Sequence, residues 1–250
     1  MSKFTYFVFN VPGSDPLRDY CYSEINDSLK NINRLDSKTE IIKTKEDCFN
    51  FINSNPGFKV NTIKDYAGPN TIFPPRAGVI AVIASNYTAW KNFLKTDYDY
   101  LILFEDDVMV SKNLVPFLDR YISELPDDWD IFSFYIPDDI KHLYNSSIHD
   151  IPNNKYVCKS YTTHCCAAYI INKKGAQKAI DDIEQNGISA PIDWYVLNVK
   201  HLGNEPDIFN VYCLKPNQYM PVKELNEVYY NSSLHYGKTE EFDTNAILFS

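Results

Sequence analysis

Apolar residues along this chain recur in two rhythms. The run from Phe4 to Val11 closes on Pro12-Gly13, which predicts a strand buried on both faces that feeds a loop. Asp15-Pro16 then reads as an N-cap with proline at the first helical position. The helix expected to about Ile32 carries Leu17, Tyr20, Cys21, Ile25 and Leu29 on one face. A short strand is expected at 39–43 and a helix at 45–52. Pro, Gly and Asn then break any period from Asn53 to Pro75, predicting a long loop. Helical spacing is strongest over 77–94, where Ile80, Ile83, Ala84, Tyr87, Trp90, Lys91 and Leu94 recur. The β-rich run Tyr100–Phe104 stops abruptly at Glu105-Asp106-Asp107. Beyond it we expect a helix at 114–125, a strand at 130–136, a polar loop at 138–154, a strand at 166–171 and a helix at 173–185. A further helix at 192–199, a strand at 207–213 and an irregular C-terminal segment from about 216 complete the reading. Alternating strands and helices predict an α/β fold with a mixed, mostly parallel sheet flanked by helices, as one domain over 1–250.

Composition narrows the partners more than the fold. The 250 residues carry 24 Lys and Arg against 33 Asp and Glu, a formal net charge of −9, which argues against general affinity for phosphate backbones. No stable nucleic-acid binding is expected. Nineteen Tyr and fifteen Phe supply flat amphipathic surfaces suited to sugar rings or bases. No window approaches the length of a membrane span and no cleavable leader is evident, so the expected location is the cytoplasm, a host cytoplasm if the source is viral. Cys21, Cys48, Cys158, Cys165, Cys166 and Cys213 form no C-x-x-C pair and are expected to be reduced packing residues.

The acidic triplet carries the chemistry. Were the strand to continue, Glu105 and Asp107 would share one side and Asp106 the other. Carboxylates this close repel unless a cation or proton neutralises them, and hard oxygens favour Mg2+ or Mn2+ with phosphate oxygens completing the shell. In open α/β sheets ligands bind beyond the carboxyl ends of strands, where this triplet falls. The competing reading is a solvated turn or helix start.

Several blocks together resemble glycosyltransferase family 25, the lipooligosaccharide and collagen galactosyltransferase type. Ala77-Gly78-Val79-Ile80-Ala81 with Ser85, Trp90 and Phe93-Leu94 leads into Tyr100–Phe104 and Glu105-Asp106-Asp107-Val108. Phe7-Val8-Phe9-Asn10 with Arg18 is similar to the opening strand and its downstream Arg. Asp128-Trp129-Asp130, Ala168–Ala176 and Pro191-Ile192-Asp193-Trp194 follow in the family's order. Two departures stand out: Asn86 occupies a position where the family usually has His, and Thr163-His164-Cys165-Cys166 stands where it often has Gly-Thr.

The resemblance implies a GT-A fold, a nucleotide-sugar donor (most often a UDP-hexose) held through a divalent metal, and inverting transfer to a hydroxyl of a carbohydrate acceptor. On that basis Asp107 is the metal ligand, and Glu105 binds the metal or the donor ribose. Asp106 and Ser85 lie near the donor, and Asn10 and Arg18 contact the nucleotide or its phosphates. His235 is a further ligand with His164 as its alternative, and Mn2+ (or Mg2+) is the cofactor. Asp193 is the candidate base, with Asp138 and Asp139 as alternatives. Trp194, Tyr135 and Tyr161 are candidate sugar-stacking rings, and Trp90 is assigned to the core. Two other readings remain: a transferase acting on a modified DNA base or a protein hydroxyl, and a catalytically silent sugar- or nucleotide-binding protein.

Overall fold

The N-terminal apolar run forms β1 (Phe4–Phe9), with Tyr6, Phe7 and Val8 all buried, as expected for a strand covered on both faces. In the computed structural model, residues 3–10, 15–35, 42, 44–61, 63–64, 72–73, 77–112, 114–135, 148–160, 165–198, 207–215 and 222–224 are described. In chain order, the elements that follow are α1 (Pro16–Ser28), β2 (Asn33–Arg34), α2 (Lys45–Ser54), β3 (Ile63–Lys64), β4 (Ile72–Phe73), α3 (Ala77–Leu94), β5 (Tyr100–Glu105) and β6 (Val108–Val110). Then come α4 (Leu114–Ile122), β7 (Ile131–Ser133), β8 (Ile148–Asp150), β9 (Val157–Ser160), β10 (Ala168–Asn172), α5 (Lys173–Gln185), α6 (Ile192–Val196), β11 (Val211–Leu214) and β12 (Val222–Glu224).

Eight strands form one sheet in the order β2-β1-β5-β10-β7-β11-β9-β8. β1 is parallel to β2 and β5, and β7 to β11. β10 runs against β5 and β7, and β9 against β11 and β8, so β9 and β10 are the reversed strands of a mixed sheet with three parallel and four antiparallel pairings, fewer parallel ones than expected. Period-two alternation splits β5 between two cores. Leu101 and Leu103 pack with α3, α5 and α6 on one face, while Ile102 and Phe104 pack with α1 and α4 on the other. Burial of each such side chain contributes about 1.5–3 kcal/mol. Trp90, fully buried on α3, belongs to the first core, as its place in the apolar stripe predicts.

Helix ends follow the chemistry of their residues. The Asp15 carboxylate accepts from the amides of Leu17 and Arg18, with Pro16 opening α1. Asn172 does the same for α5, accepting from Gly175 N at 2.8 Å. A Cβ at Gly175 would lie 2.6 Å from the Asp130 carbonyl oxygen, so glycine is what allows α5 to rest on the entry to β7. Beneath it, buried Asp130 pairs with Lys178 Nζ at 2.5 Å and Lys174 Nζ at 3.2 Å and accepts from Asn210 N at 2.9 Å.

Some expectations are corrected. The stretch 53–75 contains β3 and β4, an antiparallel pair, rather than loop alone, and β8 falls within the expected loop at 138–154. The segment from 216 is not irregular throughout: β12 pairs antiparallel with β6, Val222 opposite Val110 and Glu224 opposite Val108. Short strands defined by their partners leave no periodic trace in sequence. Tyr20, placed on the buried face of α1, is 48% exposed. Trp194 and Tyr135, offered as stacking rings, are buried. All six cysteines are free thiols, as expected. Among the described residues no helix is long and apolar enough to cross a membrane.

Candidate active site

Register places the first two site residues. β1 and β5 are parallel with Phe9 opposite Glu105, so the next residues, Asn10 and Asp106, leave the sheet side by side. Asn10 Nδ2 donates to Asp106 Oδ2 at 3.3 Å. The strand ends at Glu105, and Asp106-Asp107 form the turn into β6, so strand alternation does not reach them. One cation therefore meets both: Arg18, on the first turn of α1, gives Nη1 to Asp106 Oδ1 and Nη2 to Asp107 Oδ2, the latter at 3.0 Å. The expectation that Asp106 faces away from Asp107 is corrected here, because the turn, not the pleat, sets its direction.

Charge in this turn is not balanced. Burial pushes the Asp106 carboxyl up; Arg18 pulls it down and Asp107 adds to the rise, leaving its pKa above the ordinary 3.8. For Arg18, burial opposes the charge, yet Asp107, Asp106 and Glu105 together hold the proton more firmly than usual. Cys21, one turn further along α1, has its thiol pushed up to about 12, by burial first and then by Asp107 and Asp106. Two buried oxygens of this cluster, Asp107 Oδ1 and Asn10 Oδ1, have no hydrogen-bond partner among the described residues. Such atoms are costly to bury unpaired.

A second arm starts at Glu105. Its amide donates to Ala167 O at 2.9 Å, and Cys166 Sγ approaches Glu105 Oε1 at 4.0 Å. The preceding Cys165 has φ +66°, a left-handed conformation that favours glycine, in the stretch where Gly-Thr is the more usual pair. Its amide donates to Asp193 Oδ2 at 3.4 Å. Asp193 lies in the first turn of α6, whose N-cap is Pro191. Behind this arm the buried Tyr169 hydroxyl donates to Asn86 Oδ1 at 2.5 Å. Burial, and then Cys166, keep that hydroxyl's pKa well above 10.

Residues 76–196, which run from α3 through the acidic turn to α6, match the model of Glycosyltransferase family 25 (LPS biosynthesis protein). Over that segment, just under half of its length, the chain is similar to glycosyltransferase family 25. No curated protein sequence matches it. Solved structures similar to it include a glycosyltransferase involved in glycosylation of the major capsid of PBCV-1, at 11% identity, TM-score 0.34, covering 72% of this chain and 65% of that one. The chain thus spans about two thirds of that enzyme's length. A197 from STIV is similar at 14% identity and TM-score 0.40, over 86% of this chain and 82% of the other. A Drosophila β-1,4-galactosyltransferase 7 variant, in complex with manganese, UDP-Gal and xylobiose, is similar at 9% identity and TM-score 0.37, over 100% of this chain and 80% of that one. These are distant similarities; the likeness to the family rests on the segment 76–196.

Of the residues assigned to the glycosyltransferase site, Asn10, Arg18, Asp106 and Asp107 meet in one bonded cluster, while Glu105 and Asp193 are joined through Cys166 and Cys165. Ser85 is half-buried on α3 and has no hydrogen bond to the cluster among the described residues. His235, His164, Asp138, Asp139 and Tyr161 lie outside the described residues. Among those described, no three His, Cys, Asp or Glu converge on a cation cage. The donor set nonetheless suits a hard cation bound in the manner of Mg2+, by one or two carboxylates with substrate phosphates and water supplying the rest. Asp107 Oδ1 and Asn10 Oδ1 are the unpaired hard oxygens on hand. Sequence reasoning underrated Asp106, which anchors both Asn10 and Arg18. It also missed the backbone contact of Cys165 to Asp193, for which a left-handed cysteine 28 positions away gives no sequence signal.

Proposed function

We propose that this glycosyltransferase moves a hexose, galactose or glucose, from a UDP-sugar to a hydroxyl of a glycan acceptor, with a divalent cation at the acidic turn and inversion at the anomeric carbon. The observation that carries this reading is the unpaired, buried Asp107 Oδ1 in a turn whose carboxylates outnumber its one guanidinium. Bound there, Mn2+ or Mg2+ would neutralise the charge gathering on the departing diphosphate. Asp107 is its first ligand, and Glu105 takes the cation or the donor ribose. Asn10 and Arg18 orient the nucleotide end of the donor, Asp106 holds both of them in place, and Ser85 lies beneath the donor.

Asp193 takes the proton of the acceptor hydroxyl, since it opens an element different from that of the cation ligand and is tied through Cys165 and Cys166 to Glu105. His235 is the further ligand of the cation in this reading. In this reading the whole chain is one GT-A-type domain working in the cytoplasm. The test is a panel of nucleotide sugars with Mn2+, read by released nucleoside diphosphate, for wild type and Asp107→Ala. We expect UDP-galactose or UDP-glucose to be turned over by wild type only, and chelation to stop it. Turnover indifferent to chelation, or retained by Asp107→Ala, overturns the reading.

A further inference from the structure

The acidic turn contains its own counter-ion, and that cation stands where an incoming one must bind. Asp107 has two oxygens: Oδ1 is closed off from solvent, and Oδ2 is held by Arg18 Nη2 at 3.0 Å. No solvent reaches Oδ1, unpaired as it is among the described residues, so a metal ion gains access to either oxygen only once the guanidinium contact gives way. Arg18 is not held by Asp107 alone, because Nη1 pairs with Asp106 Oδ1, and the other Asp106 oxygen is fixed by Asn10 Nδ2 at 3.3 Å. The Asp106 carboxylate, 6% exposed against 14% for Asp107, is the more deeply set of the two. A forked guanidinium can release one carboxylate and keep the other, which a point-charge ammonium cannot do in the same geometry.

We propose that Arg18 is a positioning residue that latches Asp107 in the donor-free enzyme: a divalent cation binds only by displacing the Nη2 contact, while the Asp106–Asn10 anchor keeps the guanidinium beside the site. This inference rests on the proposed cation site at Asp107. Two consequences follow from competition for one carboxylate. Removing Arg18 tightens metal binding in the absence of donor, the opposite of what a merely structural support for Asp107 would do. A released guanidinium arm is then left facing the space into which an anionic diphosphate comes, so donor binding, unlike metal binding, weakens without it.

Mn2+ alone is the probe, titrated into donor-free protein and read as free Mn2+ by electron paramagnetic resonance. Arg18→Gln is expected to bind Mn2+ at least about fivefold more tightly than wild type, the low end of coupling between linked sites. Arg18→Lys, which keeps the charge but not the fork, should fall between, and Arg18→Gln combined with Asp107→Asn should lose the gain. Circular dichroism verifies folding of each variant; Arg18→Lys carries the test if Arg18→Gln does not fold. Wild-type affinity equal to or tighter than that of the folded variants overturns the latch while leaving the cation site intact. Absence of Mn2+ binding in wild type and both variants, with and without UDP, overturns the cation site itself and the latch with it.

Discussion

Two buried aspartates at strand ends resemble each other in burial and differ in their company. Asp130, at the entry to β7, faces Lys174 and Lys178 and accepts a backbone amide from Asn210, so one negative charge meets two positive ones. Asp106 and Asp107, at the exit of β5, share a single guanidinium, with Glu105 adding a third carboxylate nearby. The first cluster has two cations for its one carboxylate and joins α5 to the sheet. Among the described residues the second has more carboxylates than cations, and each cluster holds one buried carboxylate oxygen, Asp130 Oδ1 or Asp107 Oδ1, without a hydrogen-bond partner there. Burial therefore does not distinguish the two clusters; the charge balance among the described residues does.

The largest effect that tests this contrast is on turnover. Asp107→Ala should lower cation-dependent transfer by at least about 1,000-fold, several kcal/mol of charge stabilisation, with the melting temperature unchanged or raised. Destabilisation with retained activity would erase the distinction. Asp193→Asn asks whether the working side extends across Cys165-Cys166. Steady-state kinetics should show kcat down by about 100- to 10,000-fold with donor binding preserved.

Asp130→Ala should do the reverse of Asp107→Ala. Loss of the acid between two half-exposed lysines should cost about 3 kcal/mol in urea unfolding, while activity per folded molecule persists. Gly175→Ala, which drives a methyl against the Asp130 carbonyl, should cost about 1–3 kcal/mol by the same measurement. The smallest effect uses Cys21 as a reporter of the surplus charge. Its folded pKa lies above the unfolded value of 9.0, so its contribution to stability is full below pH 9 and is lost as pH rises toward about 12. Asp107→Asn should shift that alkaline loss, and the pH at which Cys21 is alkylated, downward. An unmoved profile would mean that the thiol senses burial alone.

Much of this was legible in sequence wherever local rules and long-range structure agree. The α3 stripe, Asp15-Pro16 at the start of α1 and the apolar β5 ending in acids announced themselves through period, cap and composition. What stayed hidden depends on partners far along the chain. That Arg18 reaches residues 88 and 89 positions away follows from the parallel register of β1 and β5, and register is not written in either strand alone. The direction of Asp106 depended on the strand stopping at Glu105, one residue before the alternation rule would have turned it away. The burial of Trp194 and Tyr135 reflects a core that takes aromatic rings regardless of what they might recognise.

The pairing of β6 with β12 also orders events in time. Val108–Val110 follow the acidic turn directly, yet their partner, Val222–Glu224, is made more than a hundred residues later. During synthesis the strands on either side of β5 can be in hand well before the turn at its end has a neighbour to brace it. The sheet itself waits for its interior strand β11 at Val211–Leu214, and the brace comes after that, so a nascent chain stalled between β11 and β12 would hold its scaffold and its carboxylates without the strand that borders them.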